Sequence, residues 1–316
     1  MSLPPEFLRT PESRFKDLAQ WGYPFQPNYT TIHGLRVHYL DEGTPDAEET
    51  ILCLHGEPSW SFLYRKMIPT FSQAGYRVIA PDFIGFGRSD KLAHYDDYSH
   101  KLHTSTLIEL VQRLDLKNIT MVVQDWGATT GLTCVEDLAD RINRLVIMNA
   151  GLPPHGERSD LSVMVKKKFF RNVSGLVMWK AVTKAAGQRL PVGMVFAASC
   201  PNISKEAIRG YDAPFPDSSY KAGVAWWPQM VPLRQSGEVA EATKRAKAFL
   251  KSWNKPTFIL FSDKCPVSSS LYEYFQALIP GASHYPPDII RGAGHFLQED
   301  AGYEISHKVT EFVQGT

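Results

Sequence analysis

In four places this 316-residue chain puts reactive or polar residues where a short apolar run gives way to a loop: His55-Gly56-Glu57-Pro58, Asp125-Trp126-Gly127, Asp263, and His295 within Gly292-Ala293-Gly294-His295. A lone aspartate after a strand is commonplace, because loop starts favour it. An acid, a second acid and a histidine in that order are far harder to reach by accident. The segment Ile119-Thr120-Met121-Val122-Val123-Gln124-Asp125-Trp126-Gly127 reads as a strand, an acidic residue and a small residue that opens a helix over Gly127–Leu138. This is the strand–turn–helix of a nucleophile elbow, with Asp where Ser usually stands. Gln124 replaces the first glycine of the G-x-S-x-G pattern, so only Gly127 relieves crowding in the turn. Alone, Asp125 would read as a helix N-cap. Asp263 and His295 downstream complete a nucleophile, acid and histidine series.

Aspartate at the elbow narrows the chemistry. If an oxygen nucleophile displaces a leaving group from saturated carbon, a serine becomes an ether, which has no carbonyl for water to attack. An aspartate becomes an ester, whose carbonyl carbon can be attacked by water activated by His295. The residues therefore suit two-step displacement at sp³ carbon, on alkyl halides, epoxides and their relatives.

These side chains need a scaffold. Thr50–Leu54, Arg77–Ala80, Ile119–Val123, Leu145–Met148 and Thr257–Phe261 are too short for helices and too uniformly apolar for half-exposed strands. Such runs predict parallel strands buried on both faces. Thr30–His33 and Val37–Leu40, around His33-Gly34-Leu35-Arg36, predict an opening antiparallel hairpin. Helical segments such as Ser99–Leu114, with Leu102, Leu107, Leu110, Val111 and Leu114 on one side, supply the crossovers. The class is α/β, doubly wound, and ligands in such sheets bind beyond the carboxyl ends of the strands.

After Asn149-Ala150-Gly151 the rhythm changes. No convincing buried strand follows for about 80 residues, as expected of an insertion between two strands of a doubly wound sheet. Helical stretches are expected near Ser162–Lys184 and Ser204–Tyr211, then the aromatic and proline-rich run APFPDSSYKAGVAWWPQMVP from Ala213, then a helix over Glu238–Trp253. The expected organisation is a core domain of residues 1–151 and 236–316 with a helical cap, 152–235, inserted between two strands of a mostly parallel sheet.

Composition excludes other classes. With 34 Lys+Arg against 33 Asp+Glu, the chain has no basic stripe for a phosphate backbone, and no nucleic-acid partner is expected. No stretch approaches the roughly 18 consecutive apolar residues of a membrane span, and the start MSLPPEFLRTPESRF lacks a signal-peptide pattern. Cys53, Cys134, Cys200 and Cys265 lack metal-binding spacing, so they read as reduced thiols in a cytoplasmic protein. His100 and His103, three apart on a helix, have no partner to complete a metal set and are expected to be solvated. Neither a metal nor a cofactor is expected.

At length the chain resembles the haloalkane dehalogenases, enzymes of the α/β-hydrolase fold. The resemblance is carried by HGEPSWSFLYRKMIP from His55, RVIAPDFIGFGRSDK from Arg77, VVQDWG from Val122, RLVIMNA from Arg144, APFPDSSYKAG from Ala213 and GAGHFLQE from Gly292. HG-x-P and D-W-G are shared with epoxide hydrolases; the long forms are more specific. The resemblance implies Asp125 as nucleophile, His295 as general base and Asp263 as its orienting acid. It also implies the backbone N–H groups of Glu57 and Trp126 as an oxyanion hole. Trp126 would be the first halide-binding indole and Trp179, in Gly175-Leu176-Val177-Met178-Trp179-Lys180, the second, with Trp226-Trp227 as the rival.

The alternative acid position, Asn149, is neutral and cannot stabilise an imidazolium. His55 is expected to fix its loop, and Glu57 to act through its backbone. The reaction implied is hydrolysis of a halogenated alkane by water to alcohol, halide and proton. Two alternatives are an epoxide hydrolase, with Tyr211 and Tyr220 as available cap acids, and a hydrolase-fold binding protein, which would be expected to have lost part of the triad.

Overall fold

The computed structural model describes residues 6–152, 167–232 and 236–316, with side chains throughout except at 167–173. Its strands are β1 (Phe7–Leu8), β2 (Asn28–Ile32), β3 (Leu35–Glu42), β4 (Thr50–Leu54), β5 (Arg77–Pro81), β6 (Lys91–Leu92), β7 (Ile119–Gln124), β8 (Ile142–Met148), β9 (Thr257–Ser262) and β10 (Asp288–Ile290). Eight form one sheet in the order β10-β9-β8-β7-β4-β5-β3-β2, while β1 and β6 make a separate small ribbon.

From β10 through β5 every neighbouring pair is parallel, and β3 runs antiparallel to both β5 and β2. This is the mostly parallel sheet of the α/β-hydrolase fold. Every residue of β4, β7 and β9 is buried, because helices cover both faces and both side-chain directions must be filled. The β2–β3 hairpin turns on His33 and Gly34, whose φ angles of 53° and 79° give the left-handed pair that matches strand twist.

Crossover helices follow from local signals. The helix His100–Arg113 starts where the Ser99 hydroxyl accepts the Leu102 N–H at 3.1 Å, a side-chain N-cap. After β8, the described elements before β9 are helical, including Lys167–Ala186, Val192–Ser199, Lys205–Asp212, Ala222–Met230 and Glu238–Leu250. Residues 153–166, including the start of the expected helix near Ser162, lie outside the described residues, as do the side chains of the basic run around Lys167 and of Phe169 and Phe170.

Some expectations need correction. The helix after the elbow covers Trp126–Thr133 and gives way to turns before Leu138. β10 has three residues and β1 and β6 two each, too few to show a period. His100 and His103 are not solvated, being 2% and 1% exposed. The first meets the Thr133 hydroxyl at 2.9 Å, and the second accepts the Trp227 indole N–H at its Nε2. Burial lowers the His100 pKa to about 4, so the ring stays neutral.

Candidate active site

At the end of β7 the chain turns sharply on Asp125, whose φ of 51° and ψ of −123° lie outside the ordinary regions for a residue with a side chain. The glycines around it are required by proximity. A Cβ on Gly56 would sit 2.4 Å from that of Asp125, and one on Gly127 would sit 2.2 Å from the Leu54 carbonyl oxygen. The missing first glycine of the elbow has a reason. Gln124 extends its amide to the backbone oxygen of His295 at 3.3 Å and so fastens the histidine loop to the nucleophile strand.

That loop leaves β10 and brings His295 Nε2 to 3.3 Å from Asp125 Oδ2. Asn149, at the end of β8, braces it. Its Nδ2 is 3.0 Å from the Gly294 oxygen, 2.9 Å from that of His295 and 2.8 Å from the Ser262 hydroxyl, while its Oδ1 accepts the Ser262 N–H. An aspartate here would lose every one of those donations, so Asn149 clamps two strand ends and the histidine loop. Asp300 accepts the Gly294 N–H at 2.7 Å from the following helix.

Asp263 is not brought to His295. Its Oδ1 accepts the Gly292 N–H at 2.7 Å, and among the described residues no hydrogen bond or ion pair joins it to the imidazole. The backbone explains why. Asp263 N–H bonds to Ile290 O and Lys264 N–H to Ala293 O, so the chain after β9 stays tied to the β10 side through Lys264. The side chain that does turn inward is Cys265, fully buried, with its sulfur 3.1 Å from His295 Nδ1.

Electrostatics follow this geometry. Asp125 and His295 keep 23% and 12% of their side chains exposed while Gln124 and Glu57 beside them are buried, so the open face of the site belongs to the two groups that could react. Burial opposes charge on the imidazole, yet Cys265 and Asp125 on its two sides push its pKa well above the ordinary value. Burial likewise opposes a thiolate at Cys265, and the charge and hydrogen bond of His295 outweigh it and bring the thiol down. Glu57 is pushed well up by burial and by the neighbouring Asp125 charge, towards a neutral carboxyl.

Hydrogen-bond donors converge on the same carboxylate. Glu57 N–H donates to Asp125 Oδ1 at 2.9 Å. Trp126 opens its helix, so its N–H has no partner within that helix and no other among the described residues. The Trp126 ring is 5% exposed, and no hydrogen bond among the described residues occupies its indole N–H. From the helix Lys167–Ala186, Trp179 reaches Glu57, donating its indole N–H to Oε2 at 3.3 Å. Trp227 packs 5.3 Å from Trp126 and 4.4 Å from Phe86. Its N–H is committed to His103. Trp226 stacks instead on Tyr95, with ring centroids 5.7 Å apart.

His55 holds loops together: its Nδ1 meets Gly56 O at 2.9 Å and its Nε2 accepts the Phe83 N–H at 3.0 Å. Tyr211 donates its hydroxyl to Glu299 at 2.7 Å, and Glu299 is bidentate with Arg65. Burial, with the Glu299 charge, raises the Tyr211 pKa well above normal.

Sequence reasoning missed Cys265, Gln124 and the bracing role of Asn149. Gln124 had a usable signal, a large polar residue where a turn favours glycine. Cys265 had none, since it is one of four cysteines that are all unpaired and buried.

Comparison with known proteins agrees with this architecture. The alpha/beta hydrolase fold family matches residues 49–302. The chain is 40% identical to the haloalkane dehalogenase of Psychrobacter cryohalolentis, over 98% of each chain. It is 38% identical to that of Mycolicibacterium paratuberculosis, over 97% of this chain and 98% of the relative. Among solved structures, the haloalkane dehalogenase DpaA of Paraglaciecola agarilytica, described as tetrameric, superposes with a TM-score of 0.86 at 38% identity, covering 96% of this chain and 97% of that one. With the α/β-hydrolase sheet, an aspartate at its nucleophile elbow and this likeness along nearly its whole length, the chain belongs to the haloalkane dehalogenase family.

Proposed function

We propose that this chain hydrolyses haloalkanes to an alcohol, a halide ion and a proton through an ester on Asp125, and that residues 152–235 act as a cap over a core of 1–151 and 236–316. The observation that carries the reading is the elbow aspartate beside His295 Nε2, with Glu57 N–H on its other oxygen. Oδ1 is held by that donor, which leaves Oδ2 to attack the halogen-bearing carbon. As the new C–O bond forms, the carbon–halogen pair of electrons leaves with the halide.

The ester has no charge on Asp125. Water then attacks its carbonyl carbon while His295 Nε2 takes the water's proton, and the oxyanion on Oδ1 is received by the Glu57 and Trp126 N–H groups. Collapse expels the alkoxide, which takes the proton from His295, and the regenerated carboxyl loses its own proton to solvent. Restoring Asp125 in this way allows repeated turnover. No cofactor enters the scheme, and the four unpaired buried thiols fit a reducing compartment, the cytoplasm.

For the departing halide, the indole N–H groups of Trp126 and Trp179 are the proposed donors, in a setting where aromatic rings exclude water; the Trp179 N–H, donated to Glu57 Oε2 at 3.3 Å in this structure, would turn from that carboxyl to the halide. Changing either tryptophan to Phe is expected to weaken halide binding and slow carbon–halogen cleavage, by about 1–3 kcal/mol for a desolvated charge-assisted bond. Trp226→Phe should change neither by more than about twofold, because Trp226 is half-buried against Tyr95 and its ring stacking is largely kept by Phe. Halide titrations and pre-steady-state halide release measure both quantities. A larger loss in Trp226→Phe than in Trp179→Phe would contradict the choice of the second indole.

An epoxide hydrolase would need a cap hydroxyl able to give up its proton to the opening ring. Tyr211, tied to Glu299 and with a raised pKa, is poorly suited to that task. Incubation with a panel of chloro-, bromo- and iodoalkanes, with halide and acid release followed together, tests the reading. Equal amounts of halide and acid are expected. Diol formation from epoxides without halide release from any panel member would overturn it.

A further inference from the structure

We propose that Cys265, rather than Asp263, is the positioning residue that orients His295 for hydrolysis of the ester. The inference rests on the proposed two-step reaction. Its geometric basis is a chain of contacts in which Asp125 Oδ2 lies 3.3 Å from His295 Nε2 and Cys265 Sγ lies 3.1 Å from His295 Nδ1. Nδ1 thus faces the thiol, Nε2 faces the nucleophile with the Gln124 amide nitrogen also 3.3 Å away, and the carboxylate of Asp263 faces the Gly292 N–H.

The surroundings of the sulfur are built for an acceptor. Ser268 N–H donates to it at 3.3 Å, the Ser268 hydroxyl is 3.2 Å away, and His295 Nδ1 completes the set. A sulfur that accepts from the imidazole forces the proton onto Nδ1 and leaves the Nε2 lone pair towards Asp125, which is the tautomer a base at Nε2 requires. A thiol that kept its proton and donated it to Nδ1 would force the opposite tautomer, with Nε2 blocked by its own proton. Against burial, the charge and hydrogen bond of His295 draw the thiol down towards the ionised form, which can only accept from Nδ1. After Nε2 takes a proton from water, the ring is an imidazolium between the neutral ester and a thiolate, and the sulfur performs the charge-stabilising task that a carboxylate performs in an Asp–His pair.

The ionisable groups that face the imidazole are Asp125, Glu57 and Cys265. During hydrolysis the first is esterified. Burial, the larger of the two influences on Glu57, still pushes it towards its neutral form, which leaves the sulfur as the principal negative charge beside the ring. Base catalysis then requires the Cys265–His295 pair to lose one proton, and the rate of ester hydrolysis rises with pH through the upper titration of that pair. A neutral hydroxyl in place of the thiol removes the anion that holds the imidazolium proton. The rise moves to lower pH, and the plateau falls because tautomer and imidazolium lose their support.

The test compares wild type, Cys265→Ser, Cys265→Asp and Asp263→Asn by rapid mixing with the haloalkane that wild type turns over fastest. The first burst of halide reports alkylation, and intact mass across a pH series reports ester hydrolysis. In Cys265→Ser a full burst is expected, with hydrolysis slowed about 10- to 100-fold, part of the 10²–10⁴ that a general base contributes, and with its pH midpoint moved towards acid. Cys265→Asp should restore both the plateau and the higher midpoint, and Asp263→Asn should match wild type in both.

Because the halide burst needs no base, it certifies a folded, competent site in each variant. Halide release without any added alkyl mass in His295→Gln, run alongside, would sink the two-step reaction itself. A normal burst, with Cys265→Ser unchanged in rate and midpoint and Asp263→Asn slowed, overturns the assignment of Cys265 alone.

Discussion

Asp125→Asn is expected to abolish halide release, by at least about 10⁴-fold, the scale on which removal of a nucleophile acts, while the protein folds as before. The amide keeps the shape of the carboxylate and can still accept the Glu57 N–H through its oxygen. It has lost the negative charge that attacks carbon. The strained backbone at φ 51° is tolerated by Asn at least as well as by Asp, so the elbow should persist. Halide release under single-turnover conditions, together with the thermal unfolding midpoint, measures both halves of this expectation. A variant that releases halide at even a hundredth of the wild-type rate would place the nucleophile elsewhere.

His295→Gln should produce a different failure. The first displacement needs no base, so one equivalent of halide should appear per chain and then stop, with the alkyl group retained on Asp125. Steady-state turnover should fall by about 10²–10⁴, the contribution of a general base. Intact mass after mixing should show the added alkyl group, and digestion should locate it in the peptide containing Asp125. Continued turnover near the wild-type rate, or halide release with no mass increase, would remove His295 from the hydrolytic step.

The legible parts of the fold share a cause. β4, β7 and β9 are buried on both faces, so their apolar runs mark them without ambiguity. The same strand ends deliver Asp125 and, through the elbow order, point to His295. β10 was not legible, because three residues cannot show a period, although it feeds the loop that carries His295. His100 and His103 were misread for a different reason. A histidine on a crossover helix is exposed or buried according to what packs on that face, here Trp227 and the helix after the elbow.

Asp263 shows the finest limit. The residue type and strand end were right for an acid, but the direction of a side chain after β9 depends on how far its backbone stays tied to the β10 side. Those hydrogen bonds run through Lys264, so the inward turn falls on Cys265. Asn149 is legible in the sequence only as a neutral residue at the alternative acid position. That it braces Gly294, His295 and Ser262 required three-dimensional proximity to see.

The central claim is that water attacks the carbonyl carbon of an ester on Asp125 and never the substrate carbon. A single turnover in ¹⁸O-water, with enzyme in excess over haloalkane, tests it most directly. The heavy oxygen should be found in the Asp125 carboxylate by mass spectrometry of the elbow peptide, and the alcohol should carry the unlabelled oxygen that Asp125 contributed. Label in the alcohol, with none in the peptide, would show direct displacement by water and contradict the account.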